Sequence, residues 1–212
     1  MAALEGGDFA DSDWALSLLD VFEDYYFATL QPTAPFPTTC PPAWEVAHRL
    51  GADPRTTAGD ALFLAVNAHI NNDLPQALAA QLDREWPMRG SRLASRRHDF
   101  WTLTDVIAET IGAAGAPWSL ARIVRSWRSD VWDTALALVT ASGNRWQTAI
   151  CEDVEHAALK RAHLIACVRG MREHLIALPT HELHKSFDRH RGTVCRCNIA
   201  TAPCDTWVSA RS

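Results

Sequence analysis

Lysine is almost missing from this 212-residue chain: only Lys160 and Lys185 stand among its 20 basic residues, and the rest are arginine. With abundant alanine, this points to a GC-rich bacterial genome. The formal net charge is −5, so the broad basic surface that nucleic acid requires is absent and no nucleic-acid partner is expected. No apolar run reaches the roughly 18 residues of a membrane span, so no membrane association is expected. The opening MAALEGGDFADSDW lacks both the basic and the apolar region of a signal peptide. A cytoplasmic location follows, where the six cysteines stay reduced. Cys151 and Cys167 are then small buried hydrophobes. Alternating β-branched residues are also missing, which excludes a sheet. No glycine-rich phosphate loop and no G-x-S-x-G elbow occur, which argues against nucleotide use and serine hydrolase chemistry.

Helical periodicity is what the chain does have. The pattern predicts an all-α fold, with about six or seven helices in one bundle-like domain over residues 1–179. A loop-rich tail bearing cysteine and histidine occupies 180–212. The first helix runs over 13–30, capped by Ser12 or Asp13, with Leu18, Phe22 and Tyr26 on its apolar stripe. A proline-rich loop follows, then a short helix over 43–50. A strongly apolar helix spans 57–71, capped by Thr56 or Thr57. Pro75 forces a kink there, and Asp73 is placed to cap the restart. Arg84, Arg89, Arg92, Arg96 and Arg97 mark a basic stretch, with a linker over 86–98 that is either solvated or anion-binding. Helices follow over 98–115 and 118–141, and a last one from Asn144 to Leu178 that Gly170 can bend.

The stretch AVNAHINNDLPQAL, residues 65–78, carries the chemistry. Ala61 to Val66 is apolar on nearly every face, so this helix is central and the polar groups at its end are buried or line a cavity. His69 and Asp73 are four apart and share a face. An aspartate beside a histidine fixes its tautomer. The pair suits a general base or two metal ligands. The plainer reading is that Asp73 caps the next turn and the asparagines satisfy backbone groups freed by the kink.

The segment NAHINNDLPQAL resembles the hallmark of a bacterial family known as domain of unknown function 5995. VFEDYYFATL, HDFWTLTDVIAE and SWRSDVWDTALAL resemble its other segments in the right order, over about residues 14–178. Thr104 stands where the family carries asparagine, a departure that bears on Asp105. The resemblance implies an all-α fold and one constellation of His69, Asn72 and Asp73 with Asp105 and the Tyr25–Tyr26 pair. It implies no reaction.

The expectation is an enzyme working on a small apolar or aromatic molecule by cyclisation, isomerisation or hydrolysis, as in specialised-metabolite biosynthesis. His69 is the acid or base, Asp73 orients it, and Asn72 bonds the substrate. Tyr26, Asp105 and Trp132 are the substrate-binding candidates. No cofactor is required on this reading. The alternative is a divalent metal such as zinc held by His69, Asp73, Asp105 and His163, with a metal-bound water performing hydrolysis. A third reading is a non-catalytic ligand- or partner-binding module, and a homodimer is left open as an alternative to a monomer. Asp105 and Glu109, four apart, are a paired-acid candidate or a solvated face. HELH at 181–184 lacks the His-Glu-x-x-His spacing. His181, His184 and His190 with Cys195, Cys197 and Cys204 offer a tail zinc site, against a flexible tail. Most tryptophans, among them Trp101, Trp118, Trp127, Trp132 and Trp146, are expected in the core.

Overall fold

Seven α-helices and no strand make up the described residues of the computed structural model, which are 8–30, 40–86, 89–113, 118–143 and 146–171. The tail and its zinc candidates lie outside them. The helices are α1 (Ser12–Phe27), α2 (Pro42–Gly51), α3 (Ala58–Ala68), α4 (Leu74–Asp83), α5 (Arg89–Ala113), α6 (Trp118–Thr140) and α7 (Trp146–Val168). A 3-10 turn, Ala28–Leu30, extends α1, and a π-helical turn, His69–Asp73, joins α3 to α4 without a break. Among the described residues no helix is long and apolar enough to cross a membrane.

Two cores hold the bundle. In the first, Trp14, Leu18 and Phe22 of α1 meet Leu74 and Leu78 of α4, Phe100 and Leu103 of α5, and Val124, Val131 and Leu138 of α6. In the second, Trp44, Val46 and Leu50 of α2 pack with Leu64 and Ala68 of α3 and with Ala158, Leu159 and Ala162 of α7. Each fully buried leucine or phenylalanine stabilises the fold by about 1.5–3 kcal/mol. The small residues of α7 let α2 and α3 come close.

Several ends differ from their sequence reading. The cap of α1 is Asp11, whose Oδ1 accepts the Trp14 N–H at 3.0 Å, so neither Ser12 nor Asp13 is needed. Thr57 caps α3, its hydroxyl accepting the Asp60 N–H at 3.2 Å. The basic stretch from Arg89 onward is helix, not linker. Its arginines alternate with alanine, leucine and serine, which tolerate a helix well, and its cation Arg96 is buried. Gly170 ends α7 instead of bending it. At φ +75° it takes the left-handed conformation, while Met171 N–H bonds Ala166 O and Gly170 N–H bonds Cys167 O, the glycine-terminated helix end. Cys151 is disulfide-bonded, so the expectation that all six cysteines stay reduced fails there. Trp146 is exposed, against the expectation of a core position.

A charge cluster ties the chain start to α5. Arg96 donates to both oxygens of Glu85 at 2.8 and 2.7 Å and to Asp11 Oδ2 at 2.7 Å. Its guanidinium lies over the Trp14 ring. Buried Asp99 accepts the backbone N–H groups of Ala10 and Asp11 at 2.6 and 3.1 Å. The Arg96 hydrogen bonds hold the Asp11 and Glu85 carboxyls below their ordinary values of 3.8 and 4.5. The unfolded chain therefore binds protons there that the folded chain does not. Their stabilisation is full above pH about 4.5 and is lost as pH falls below it. Arg96→Ala is expected to cost about 2–3 kcal/mol, discounted for the exposed side of Asp11. It should also flatten the acid limb, as urea midpoints between pH 7 and pH 3 will show.

Candidate active site

Pro75 creates the geometry. It has no N–H, and in a regular α-helix its ring would strike the carbonyl four residues back, at Asn71. The helix widens instead: the Leu74 N–H reaches back five residues to His69 O, the π-helical spacing. The side-chain amide of Gln76 donates to the backbone carbonyl of Asn72 at 2.9 Å, bracing the turn. Ile70, Asn71, Asn72 and Asp73 are all buried in this turn.

Asp73 does not cap α4; its carboxylate makes no cap hydrogen bond and points inward. It is 0% exposed and takes three N–H donors. Oδ2 accepts from the Trp44 indole at 2.8 Å and lies 3.1 Å from His69 Nδ1; Oδ1 accepts from Asn72 Nδ2 at 2.9 Å. A buried carboxylate must be met this fully to stay ionised. With Asp73 accepting, the neutral form of His69 carries its proton on Nδ1 and leaves the lone pair to Nε2. Among the described residues Nε2 forms no hydrogen bond, and the His69 side chain is 28% exposed.

Aromatic rings frame the imidazole. Phe22 stacks on it with centroids 3.6 Å apart and planes 13° apart. Tyr26 and Trp44 meet it edge-on at 5.8 and 6.0 Å. Trp44 also stacks on His48, whose Nε2 lies 3.1 Å from Thr29 Oγ1. The Thr29 hydroxyl donates to Tyr26 O, so its oxygen accepts and His48 carries its proton on Nε2. Burial keeps the His48 pKa below the ordinary 6.5.

The two asparagines divide the work. Asn71 belongs to a structural seam: its Nδ2 donates to Asn67 Oδ1, Asn67 Nδ2 donates to Ala158 O, and Arg161 donates to Asn71 Oδ1 at 2.7 Å and pairs with Asp130 at 3.3 Å. The seam pins the π turn to α6 and α7. Asn72 holds Asp73 through its NH2, while its own carbonyl oxygen is buried with no donor among the described residues.

Of the residues singled out from the sequence, His69, Asp73, Asn72 and Tyr26 come together. The others do not. Asp105 is 61% exposed and pairs with Arg125, because it sits on the outer face of α5; Glu109 is likewise exposed. Trp132 is packed against Phe100 in the first core at 5.6 Å. His163 Nε2 is buried with no partner among the described residues, and desolvation lowers its pKa. Among the described residues no three His, Cys, Asp or Glu side chains stand close enough to share a metal. The four-ligand set of His69, Asp73, Asp105 and His163 is therefore not assembled. Trp44 and Phe22 were not singled out. The only hint of Trp44 was its position in AWEVAHRL, one turn before His48.

These features define an all-helical protein with a buried carboxylate holding one half-exposed imidazole at a π turn. Residues 1–168 match the model of a family of unknown function, DUF5995, and the chain belongs to that family. No curated protein and no solved structure matches it.

Asp73→Ala strands three donors and is expected to cost about 3–5 kcal/mol in urea unfolding. Nitrogen NMR of His69 should show the Nδ1–H tautomer. His48 and His163 both have folded-state pKa values below 6.5, so the unfolded chain takes up protons that the folded one refuses. Stability is then full above pH about 6.5 and falls below it; His48→Gln should reduce that slope in midpoints measured from pH 7.5 to 5.

Proposed function

We propose that this protein is an enzyme in which His69 is the general acid or base, acting on a small molecule with an apolar or aromatic body. The carrying observation is the Asp73 carboxylate, fully buried and met by three N–H donors, holding His69 Nδ1 so that Nε2 faces outward. A fixed tautomer is what proton transfer at Nε2 requires. As Nε2 takes a proton, Asp73 and the ring face of Phe22 stabilise the charge that develops on the imidazole. Trp44 is a positioning residue that keeps Asp73 from rotating away. The aromatic frame of Phe22, Tyr26 and Trp44 suits an apolar substrate, with the Asn72 carbonyl as an acceptor for a substrate N–H or O–H. Hydrolysis, isomerisation and cyclisation all need one such group. The setting proposed is cytoplasmic, in bacterial specialised metabolism. The metal-dependent reading is weaker, because His69 and Asp73 spend their facing atoms on each other.

The test replaces His69 by asparagine, whose amide N–H preserves the bond to Asp73 while Nε2 is lost. Wild type and His69→Asn are incubated with aryl esters, aryl lactones and enolisable aryl ketones, the last in deuterated water, and followed by mass spectrometry. Turnover or exchange by wild type, reduced about 10²–10⁴-fold in the variant, is expected. If wild type acts on none of these and His69→Asn loses stability, the pair is a structural network instead.

A further inference from the structure

The most anomalous charge in the protein is not at the π turn. Arg128, in the middle of α6, is 2% exposed and lies among first-core residues. Its Nε donates to Thr104 Oγ1 at 2.6 Å, and the Thr104 hydroxyl donates onward to Phe100 O at 2.8 Å. Its guanidinium carbon lies 4.5 Å above the Phe100 ring centroid. Among the described residues no carboxylate pairs with it, and neither Nη1 nor Nη2 donates a hydrogen bond.

The other interior or half-buried arginines are not left this way. Arg96 meets Glu85 and Asp11, and Arg161 meets Asn71 and Asp130. Exposed Arg125 meets Asp105. A buried guanidinium without an anion is strongly unfavourable, and an apolar side chain of similar length would fill the space at lower cost. Burial pulls its pKa down to about 9, which still leaves it a cation at neutral pH.

We propose that Arg128 is the recognition cation for a ligand carboxylate, taken by its two terminal nitrogens. The guanidinium fork matches a planar carboxylate in two parallel hydrogen bonds. Charge selects carboxylate over phosphate: a single cation balances one negative charge, and a dianion brought here would keep one charge buried and unpaired. Thr104 and Phe100 fix the fork from one side, so little side-chain freedom is lost on binding. The inference is independent of the His69–Asp73 pair and stands whether or not that pair is catalytic.

The test uses the full chain, with benzoate, benzamide and inorganic phosphate as probes, read by thermal unfolding and titration calorimetry. The variants are Arg128→Met and Arg125→Gln. Benzoate is expected to raise the unfolding temperature of wild type and of Arg125→Gln with concentration, while benzamide and phosphate do not. Arg128→Met should bind benzoate at least tenfold more weakly, yet unfold without ligand at the same temperature as wild type or higher, as befits a cation kept for a ligand and not for the fold. Equal shifts from benzoate and benzamide, or a shift from phosphate alone, would overturn the assignment. So would a wild type indifferent to benzoate, or an Arg128→Met that unfolds well below wild type and thereby marks the arginine as structural.

Discussion

One buried carboxylate organises the centre of this protein. Asp73 has no solvent, and Trp44, His69 and Asn72 each turn an N–H toward it instead. Those donors come from α2 and from two positions of the π turn. Satisfying the carboxylate therefore fixes how α2 lies against the α3–α4 rod. Phe22 and Tyr26 then bring α1 onto the same imidazole. Fold and site are thus held by the same few contacts, and loosening the carboxylate loosens both.

The polar groups of the π turn differ in how they meet the burial constraint. Asn71 does so through a chain of amides and a guanidinium that ends at Asp130 on the surface of α6. Asp73 does so by being enclosed. His69 is the member that retains access to the outside, and Asn72 keeps one oxygen unmet. An arrangement meant only for stability would be expected to leave no such groups over. Among the described residues the buried side-chain atoms without a partner are the Asn72 amide oxygen, His163 Nε2 and Trp14 Nε1, and only the first of these lies in the π turn.

Much of this was legible in the chain. Helical periodicity and the absence of strand patterns point to an all-α fold, and the density of polar residues around His69 marks the turn where buried polar groups gather. The His69–Asp73 spacing implies their contact because residues four apart share a helix face even through a widened turn. Other features depend on tertiary packing and have no local signature. Trp44 is far along the chain from Asp73, and its indole donor looks like any core tryptophan. Asp105 reads as a site residue beside Thr104, but the helix face it occupies is set by how α5 docks, and that face is solvent. Arg96 and Arg128 read as surface charges because arginine usually is one; only the packed bundle reveals that both are interior. The asparagines mark the π turn but have different partners there, since one amide looks like another until its partners are known.

The π turn also explains how one continuous rod serves both cores. Residues of an α-helix advance by about 100° each, so the residue inserted at the turn rotates everything after it by roughly that angle. Leu64 and Ala68, before the turn, face α2 and α7; Leu74, Leu78 and Leu82, after it, face α1 and α6. Deleting a single residue from His69–Asp73 would restore an unbroken register. The apolar face of α4 would then swing away from its core. The widened turn is thus a phase shifter, and the reading frame of the whole bundle runs through it.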